Sequence, residues 1–116
     1  MHLVFSYLPT RDLAASLRLY RDTLGLDELW REGDTTVGLA IPDTEVALMI
    51  DAAAPPEWGP GPIFGVDRVT EFRARHDDLE VVAEPHEIPG GMFMALRDPG
   101  GNFVYVLDQS TDTSSG

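Results

Sequence analysis

The 116-residue sequence contains no cysteine and no lysine, and each absence excludes a class of chemistry. Without cysteine the chain can form no disulfide, no thiolate nucleophile and no Cys-ligated zinc or iron–sulfur centre. Without lysine, Schiff-base catalysis and a phosphate-loop lysine are excluded as well. The sequence also lacks any apolar run near the roughly 18 residues that a spanning helix needs, so we expect no membrane partner.

Positive charge is scarce. Eight arginines stand against 20 acidic residues, which gives a net charge of −12. This surplus repels nucleic acid and anionic membrane surfaces, so we predict that the protein binds neither. A hydrophobic content of 43% is typical of one ordinary globular domain with a modest core. The first residues lack the basic stretch of a signal peptide, and we therefore expect a cytoplasmic protein.

The first half of the chain predicts the order strand, helix and three strands. Leu3 to Leu8 alternates as a strand does, and Asp12 is placed to cap a helix. Apolar residues then recur at helical spacing up to Gly25, which can end the helix in the left-handed conformation. These residues are Leu13, Leu17, Tyr20 and Leu24. The three predicted strands are residues 27–33, 35–41 and 46–51.

The second half repeats this order. Residues 52–61, rich in proline and glycine, are predicted to be a linker. A strand at 63–66 is followed by a helix that Asp67 is placed to cap. The helix carries Val69, Phe72, His76 and Leu79 near one face, and the remaining strands are predicted at 79–84, 92–97 and 102–108. The pattern predicts one domain over residues 1–109, built from βαβββ units at about 1–52 and 62–109, with a disordered tail at 110–116.

The last two strands are joined by the turn sequence Asp98–Asn102. Pro99 fixes a negative φ, and the two glycines that follow it allow the positive φ of a tight three-residue loop. Because side chains alternate along a strand, Tyr105 is predicted to face away from its two valine neighbours. The surface that Tyr105 faces is therefore of direct interest for function.

The run from Asp12 to Leu26, together with this hairpin, resembles the vicinal oxygen chelate superfamily, which includes glyoxalase I, bleomycin-resistance proteins and extradiol dioxygenases. The resemblance extends from Met1 to about Gln109. It implies an α+β fold in which two βαβββ units form open curled half-barrels, like those of glyoxalase and bleomycin-resistance proteins. It also implies a homodimer whose facing half-barrels enclose the ligand.

Enzymes of the superfamily hold a divalent metal through His, Glu or Gln side chains on the first and last strands of each unit. The corresponding positions of this sequence fall on Phe5 and Tyr105, and near Leu48 and Gly61. These residues do not supply the oxygen and nitrogen ligand set that such metals need. The resemblance therefore implies a protein without metal and without another cofactor.

The residues expected to face the ligand are mostly aromatic or apolar, which suits a flat or hydrophobic molecule. The predicted ligand-binding residues are Phe5, Tyr7, Trp30, Leu48, Trp58, His86, Met94, Phe103 and Tyr105. For Trp30 the sequence leaves core, interface and pocket rim open. We predict a metal-free homodimer that binds an apolar or aromatic small molecule, as in antibiotic sequestration and resistance.

Other functions remain open. The chain is alternatively a lyase, isomerase or dioxygenase, either with metal ligands at other positions or without metal and with His86 or Tyr105 as acid or base. A third candidate function is that of a protein-interaction module. Arg97 is expected to pair with an acid such as Glu84 or Asp98, or with a ligand carboxylate.

Overall fold

The structure is a computed structural model that describes residues 1–110. The predicted disorder beyond Ser110 lies outside the described residues. The elements are β1 (His2–Pro9), α1 (Leu13–Leu17), a π-helical segment (Arg18–Thr23), β2 (Glu28–Glu32), β3 (Thr36–Ala40), β4 (Ala47–Asp51), β5 (Gly61–Gly65), α2 (Val69–Arg75), β6 (Glu80–Ile88), β7 (Gly91–Arg97) and β8 (Phe103–Leu107). This order confirms an α+β fold of βαβββ type. The described chain divides into a first unit, residues 4–61, and a second unit, residues 1–3 with 62–110.

In the first unit the strands lie in the order β2-β3-β4-β1, and β1 runs parallel to β4 with Tyr7 opposite Met49. The helix covers one face of this sheet. Leu17 packs there against Val37, Leu39 and Ile50, all of them buried. Since side chains alternate along each strand, the residues between these core positions lie on the opposite face, which we call the open face of the unit.

The second unit repeats this arrangement in the order β5-β8-β7-β6, with β5 parallel to β8 and Ile63 opposite Tyr105. Val69 of α2 packs against Met94, Leu96 and Val106 on the covered face. Val106 thus lies under the helix, and its neighbour Tyr105 lies on the open face. The predicted separation of Tyr105 from its valine neighbours is confirmed.

The two helices begin differently. Asp12 caps α1 as predicted, because its carboxylate accepts the Ala15 N–H at 3.0 Å. The predicted cap of α2 by Asp67 is wrong. Arg68 occupies the N-cap position without a side-chain bond, and the Val69 N–H donates instead to the carboxylate of Asp108 at 2.6 Å. One backbone N–H at the start of α2, which has no acceptor within the helix, thus finds its acceptor on a residue 39 positions away.

The first helical stretch ends where the sequence predicts, although its second part is a π-helix. Gly25 follows with a φ of 79°, in the left-handed region where glycine meets no steric penalty. The predicted terminal hairpin is also confirmed. Asp98 N–H donates to the Asn102 carbonyl at 2.8 Å, which leaves three residues in the loop, and Gly101 has a φ of 90°.

Strand β6 is longer than predicted and reaches Ile88 instead of ending near Glu84. His86 therefore belongs to a strand, where it lies opposite Phe93 of β7, and is not a loop residue. Among residues 1–110, no helix has both the length and the apolar content needed to cross a membrane.

Candidate functional site

The open face of the first unit carries an aromatic surface built on a glycine. Trp30 lies opposite Gly38 in the β2–β3 pair, and its indole rests on the Gly38 backbone. A Cβ at Gly38 would come within 2.6 Å of Trp30 Cζ2, so only glycine leaves room for the ring. Phe5 meets Trp30 edge-on, with ring centroids 5.9 Å apart. Both rings are half-buried, so part of each remains accessible to a ligand.

Tyr7 lies beside these rings but is only 2% exposed. Its hydroxyl donates to Asp51, whose carboxylate also accepts the Thr36 hydroxyl at 3.0 Å and the Ala53 N–H at 2.9 Å. These bonds commit the Tyr7 hydroxyl to the protein. Tyr7 is therefore a buried part of this open face, and in this arrangement its hydroxyl is not available to a ligand.

Trp58 belongs to the same unit and is held by the proline-rich linker. Its N–H donates to the Pro55 carbonyl at 3.0 Å, which closes a turn with Pro56 at the position where proline is favoured. The half-buried ring meets Tyr7 edge-on at 6.5 Å between centroids. The linker thus places a rigid aromatic side chain next to the sheet.

The open face of the second unit carries a row of rings. Centroid distances are 5.9 Å from His86 to Phe93, 5.6 Å from Phe93 to Tyr105 and 6.2 Å from Tyr105 to Phe103. Tyr105 is fully buried and Phe93 is 6% exposed, whereas His86 is exposed and Phe103 half-buried. The middle of the row is therefore core, and only its two ends are open to solvent.

His86, the exposed residue at one end of this row, makes a hydrogen bond that fixes which ring nitrogen carries the proton. His86 Nδ1 lies 2.9 Å from the Glu84 carbonyl oxygen, which can only accept, so Nδ1 carries the proton and Nε2 is left as the acceptor. Glu84 itself pairs with Arg73 at 3.0 Å. The Arg73 hydrogen bond holds the pKa of the Glu84 carboxyl below its ordinary value.

Arg97 pairs with an acid as expected, but the acid is Glu80 and not Glu84 or Asp98, the two examples considered. Its nearest acidic partner is Glu80, at 3.8 Å, and its guanidinium lies 4.6 Å from the centroid of the Phe103 ring. Glu80 lies directly opposite Arg97 in the β6–β7 pair, whereas Glu84 lies further along β6, between the residues opposite Ala95 and Phe93. Asp98 is used within the hairpin, where the Asn102 side chain lowers the pKa of the Asp98 carboxyl.

Two predicted site residues lie on the helix-covered faces. Leu48 packs against the core of the first unit, and Met94 is fully buried in the core of the second. The neighbour of Leu48 that lies on the open face is Met49, opposite both Tyr7 and Gly38. The alternation of β4 with its neighbour Ile50, an obvious core residue, is the signal that separates Leu48 from Met49 in the sequence.

The internal repeat identifies corresponding positions in the two units. The backbone carbonyl of Asp51 accepts the N–H of the residue just after β1 at 3.0 Å. The backbone carbonyl of Leu107 accepts the N–H of the residue just after β5 at 2.9 Å. Two residues earlier on each last strand stand Met49 and Tyr105, which therefore correspond. The last-strand position expected at Leu48 thus falls on Met49.

The four positions to which the resemblance assigns metal ligands, with Leu48 replaced by Met49, are occupied by a phenyl ring, a thioether, a glycine and a buried phenol. These side chains do not fit a divalent metal that prefers oxygen and nitrogen ligands. Within residues 1–110, no group of three or more His, Asp or Glu side chains is arranged to hold a metal ion elsewhere.

Comparisons with known proteins agree with this architecture. A family model described as the Glyoxalase/Bleomycin resistance protein/Dioxygenase superfamily matches residues 2–106. A solved structure described as NAD-dependent benzaldehyde dehydrogenase from Legionella pneumophila is 16% identical with a TM-score of 0.76, and the match covers 90% of this chain and 97% of that chain. Methylmalonyl-CoA epimerase from Streptomyces coelicolor is 19% identical with a TM-score of 0.68, over 95% of this chain and 98% of that chain.

A superfamily member from Vibrio splendidus 12B01 is 17% identical with a TM-score of 0.64, and the match covers 92% of this chain and 97% of that chain. Comparison with the curated proteins gives no match. At these identities the solved structures show the fold alone, and the family rests on the match over residues 2–106. The chain belongs to the Glyoxalase/Bleomycin resistance protein/Dioxygenase superfamily.

Proposed function

We propose that this protein binds a small apolar or aromatic molecule, without a metal, on the open face of the first unit. The observation that carries the proposal is the half-buried pair of Phe5 and Trp30, in which Trp30 rests on Gly38 and Gly38 lies opposite Met49 in the β3–β4 pair. Small-molecule sites are mostly apolar and use few polar anchors, and exposed aromatic faces stack on flat ligands. The corresponding face of the second unit is a weaker candidate, since Tyr105 and Phe93 are buried.

The rings of this face are held rigidly, which supports a binding role. Trp30 is confined by the strand pair and the glycine beneath it, and Tyr7 is fixed by its bond to Asp51. A preorganised surface loses little conformational entropy when a ligand binds, so more of the contact energy appears as affinity. On the resemblance alone, we extend the proposal to a cytoplasmic homodimer that sequesters its ligand, as antibiotic-resistance proteins of this fold do.

A second candidate function is metal-free catalysis with His86 as the base. The specific observation in its favour is the exposed imidazole whose Nδ1 is committed to the Glu84 carbonyl, which leaves Nε2 able to accept a proton. Tyr105 is a poor acid or base for an external ligand because it is fully buried. Turnover that is lost in His86→Gln and retained in Trp30→Leu would favour this candidate over sequestration.

Thermal melts test the main proposal. A ligand that binds only the native state raises the melting temperature, so a panel of neutral aromatic compounds is expected to give shifts of several degrees that a chelator does not change. Trp30→Leu should abolish the shift, and Leu19→Ala, which alters an exposed apolar side chain of the π-helical segment, should retain it. Stabilisation by Ni²⁺, Mn²⁺ or Zn²⁺ that is reversed by chelator would contradict the metal-free proposal.

A further inference from the structure

A cleft of about 600 Å³ lies at the ends of β1 and β4 in the first unit. Its walls are formed mainly by small apolar residues and prolines of the linker, together with the ring of Trp58. The lining residues are Pro9, Thr10, Arg11, Ala52, Ala54, Pro55, Pro56, Trp58 and Pro60. The volume falls within the range of about 300–1,000 Å³ that is typical of small-molecule sites.

Arg11 is the only charged residue among those that line this cleft. Within residues 1–110 it makes no ion pair, although the chain carries 20 acidic residues. Arg18, Arg68 and Arg75 also make no ion pair in the described chain, but none of them lines this cleft. A guanidinium at the edge of an apolar cleft is a fitting partner for a carboxylate, which it can bind through two parallel hydrogen bonds.

Three acidic residues lie close to the cleft in sequence, and the exposed Glu57, between the lining residues Pro56 and Trp58, makes no ion pair with Arg11. Asp51 accepts three hydrogen bonds, from Tyr7, Thr36 and Ala53, and Asp12 accepts the Ala15 N–H as the cap of α1. Neither carboxylate is paired with the guanidinium of Arg11. The cleft therefore combines an aromatic ring, mostly apolar residues and an exposed guanidinium that makes no ion pair within residues 1–110.

We infer that the ligand of this protein is an aromatic carboxylic acid, whose ring lies against Trp58 and whose carboxylate is bound by Arg11. This inference rests on the proposed function for the ligand class and moves the ligand's ring to the edge of the open face, where Trp58 contacts Tyr7 and also lines the cleft. It adds a chemical class to that function. A neutral aromatic molecule of the same size would gain the ring contact and lose the charged hydrogen bonds.

Calorimetric titration with 1-naphthoate and with its neutral counterpart 1-naphthamide tests the inference. The wild-type protein is expected to bind the acid about fivefold more tightly than the amide, as a partly exposed charge pair allows. Arg11→Gln should remove this difference by weakening only the acid. Arg18→Gln is the matched control, since Arg18 is exposed, makes no ion pair in the described chain and does not line the cleft.

The outcomes separate this inference from the proposed function. Equal affinity for acid and amide, or a preference that survives in Arg11→Gln, would overturn the carboxylate assignment and leave aromatic binding intact. Binding of both compounds that persists in Trp58→Leu would place the ring elsewhere and overturn the cleft. Absence of binding by either compound, together with absence of any thermal shift with neutral aromatics, would overturn both.

Discussion

The two units share a strand order and a parallel pairing of first and last strands, yet they use their open faces differently. In the first unit, Phe5 and Trp30 remain half-buried and Trp58 lines a cleft. In the second unit the corresponding face is a row of stacked rings whose centre, Phe93 and Tyr105, is buried. One backbone arrangement therefore presents an accessible aromatic surface in one copy and a packed one in the other.

The two units also differ in how the first turn of each helix is capped. The first helix is capped by its own Asp12, a local bond across three residues. The second is capped by Asp108, which follows β8 and also accepts the Met92 and Ser110 N–H groups, both at 3.0 Å. The second unit thus has a buried carboxylate that joins its helix to two strands, and the first has no such tie at its cap. We interpret the second unit as the better-anchored half and the first as the ligand-binding half.

The largest expected loss of stability comes from truncating a ring at the buried centre of the aromatic row in the second unit. Tyr105→Ala should lower the free energy of unfolding by about 4 kcal/mol, because it leaves a cavity beside Phe93 and Phe103. Phe5→Ala, on the accessible face, should cost only about 2 kcal/mol, since part of that ring is already in water. Urea unfolding measures both losses. Equal losses would show that the two faces are packed alike.

The helix caps give the next effect. Asp108→Ala should cost about 3 kcal/mol, because it leaves the Val69 and Met92 N–H groups without their acceptor. Asp12→Ala removes an exposed cap and should cost about 1 kcal/mol. The same denaturant experiment compares the two. A larger loss for Asp12 than for Asp108 would reverse our interpretation of which unit is better anchored.

Gly38→Ala tests whether the glycine seats Trp30. The added methyl overlaps the indole, so the ring must move and the variant should lose about 2 kcal/mol of stability. Affinity for aromatic ligands should fall as well, which a calorimetric titration would detect. Gly100→Ala is the control, because its added carbon would meet only the side-chain ends of Asn102 and Asp98, at 3.3 and 3.4 Å, and a shift of a few tenths of an ångström accommodates it. Unchanged affinity in Gly38→Ala would show that the position of Trp30 is unimportant for binding.

A smaller effect is expected on acidification. Burial raises the pKa of the Asp108 carboxyl. The hydrogen bonds from Val69, Ser110 and Met92 lower this pKa by a larger amount, so the folded pKa lies below the ordinary value. The stabilisation is then fully present above the unfolded pKa of about 3.9 and is lost as the pH falls through the folded pKa.

Unfolding experiments over this range give the check. The stability gap between wild type and Asp108→Ala should narrow as the pH falls below about 4. The gap between wild type and Tyr105→Ala should stay constant there, since a tyrosine does not titrate in acid. A gap for Asp108→Ala that is equally independent of pH would mean that its charge does not contribute.

Local features of this fold are predictable from the sequence, whereas distant contacts are not. Asp12, Gly25 and the terminal hairpin act within a few residues, where spacing and turn chemistry are sufficient. The Asp108 cap and the Tyr7–Asp51 bond join residues 39 and 44 positions apart, and no spacing rule indicates them. Tertiary contacts decide such bonds.

The candidate site shows the same limit. Phe5 is placed by the family resemblance, whereas the sequence leaves core, interface and pocket rim open for Trp30. The burial of Tyr105 depends on a ring brought from another strand. Leu48 and Met94 were misplaced because a shift of one residue along a strand moves a side chain to the other face. The cleft beside Trp58 depends on the course of the linker, which composition alone does not indicate.

The most direct test of the account is a ¹⁵N–¹H spectrum recorded during titration with 1-naphthoate. The chain has two tryptophans, so Trp30 and Trp58 each give one indole N–H signal. We predict that both signals shift saturably, with Trp58 moving further, while the amide signals of His86 and Phe103 in the second unit stay in place. Static indole signals combined with shifts at His86 and Phe103 would contradict the account and place the ligand on the second unit.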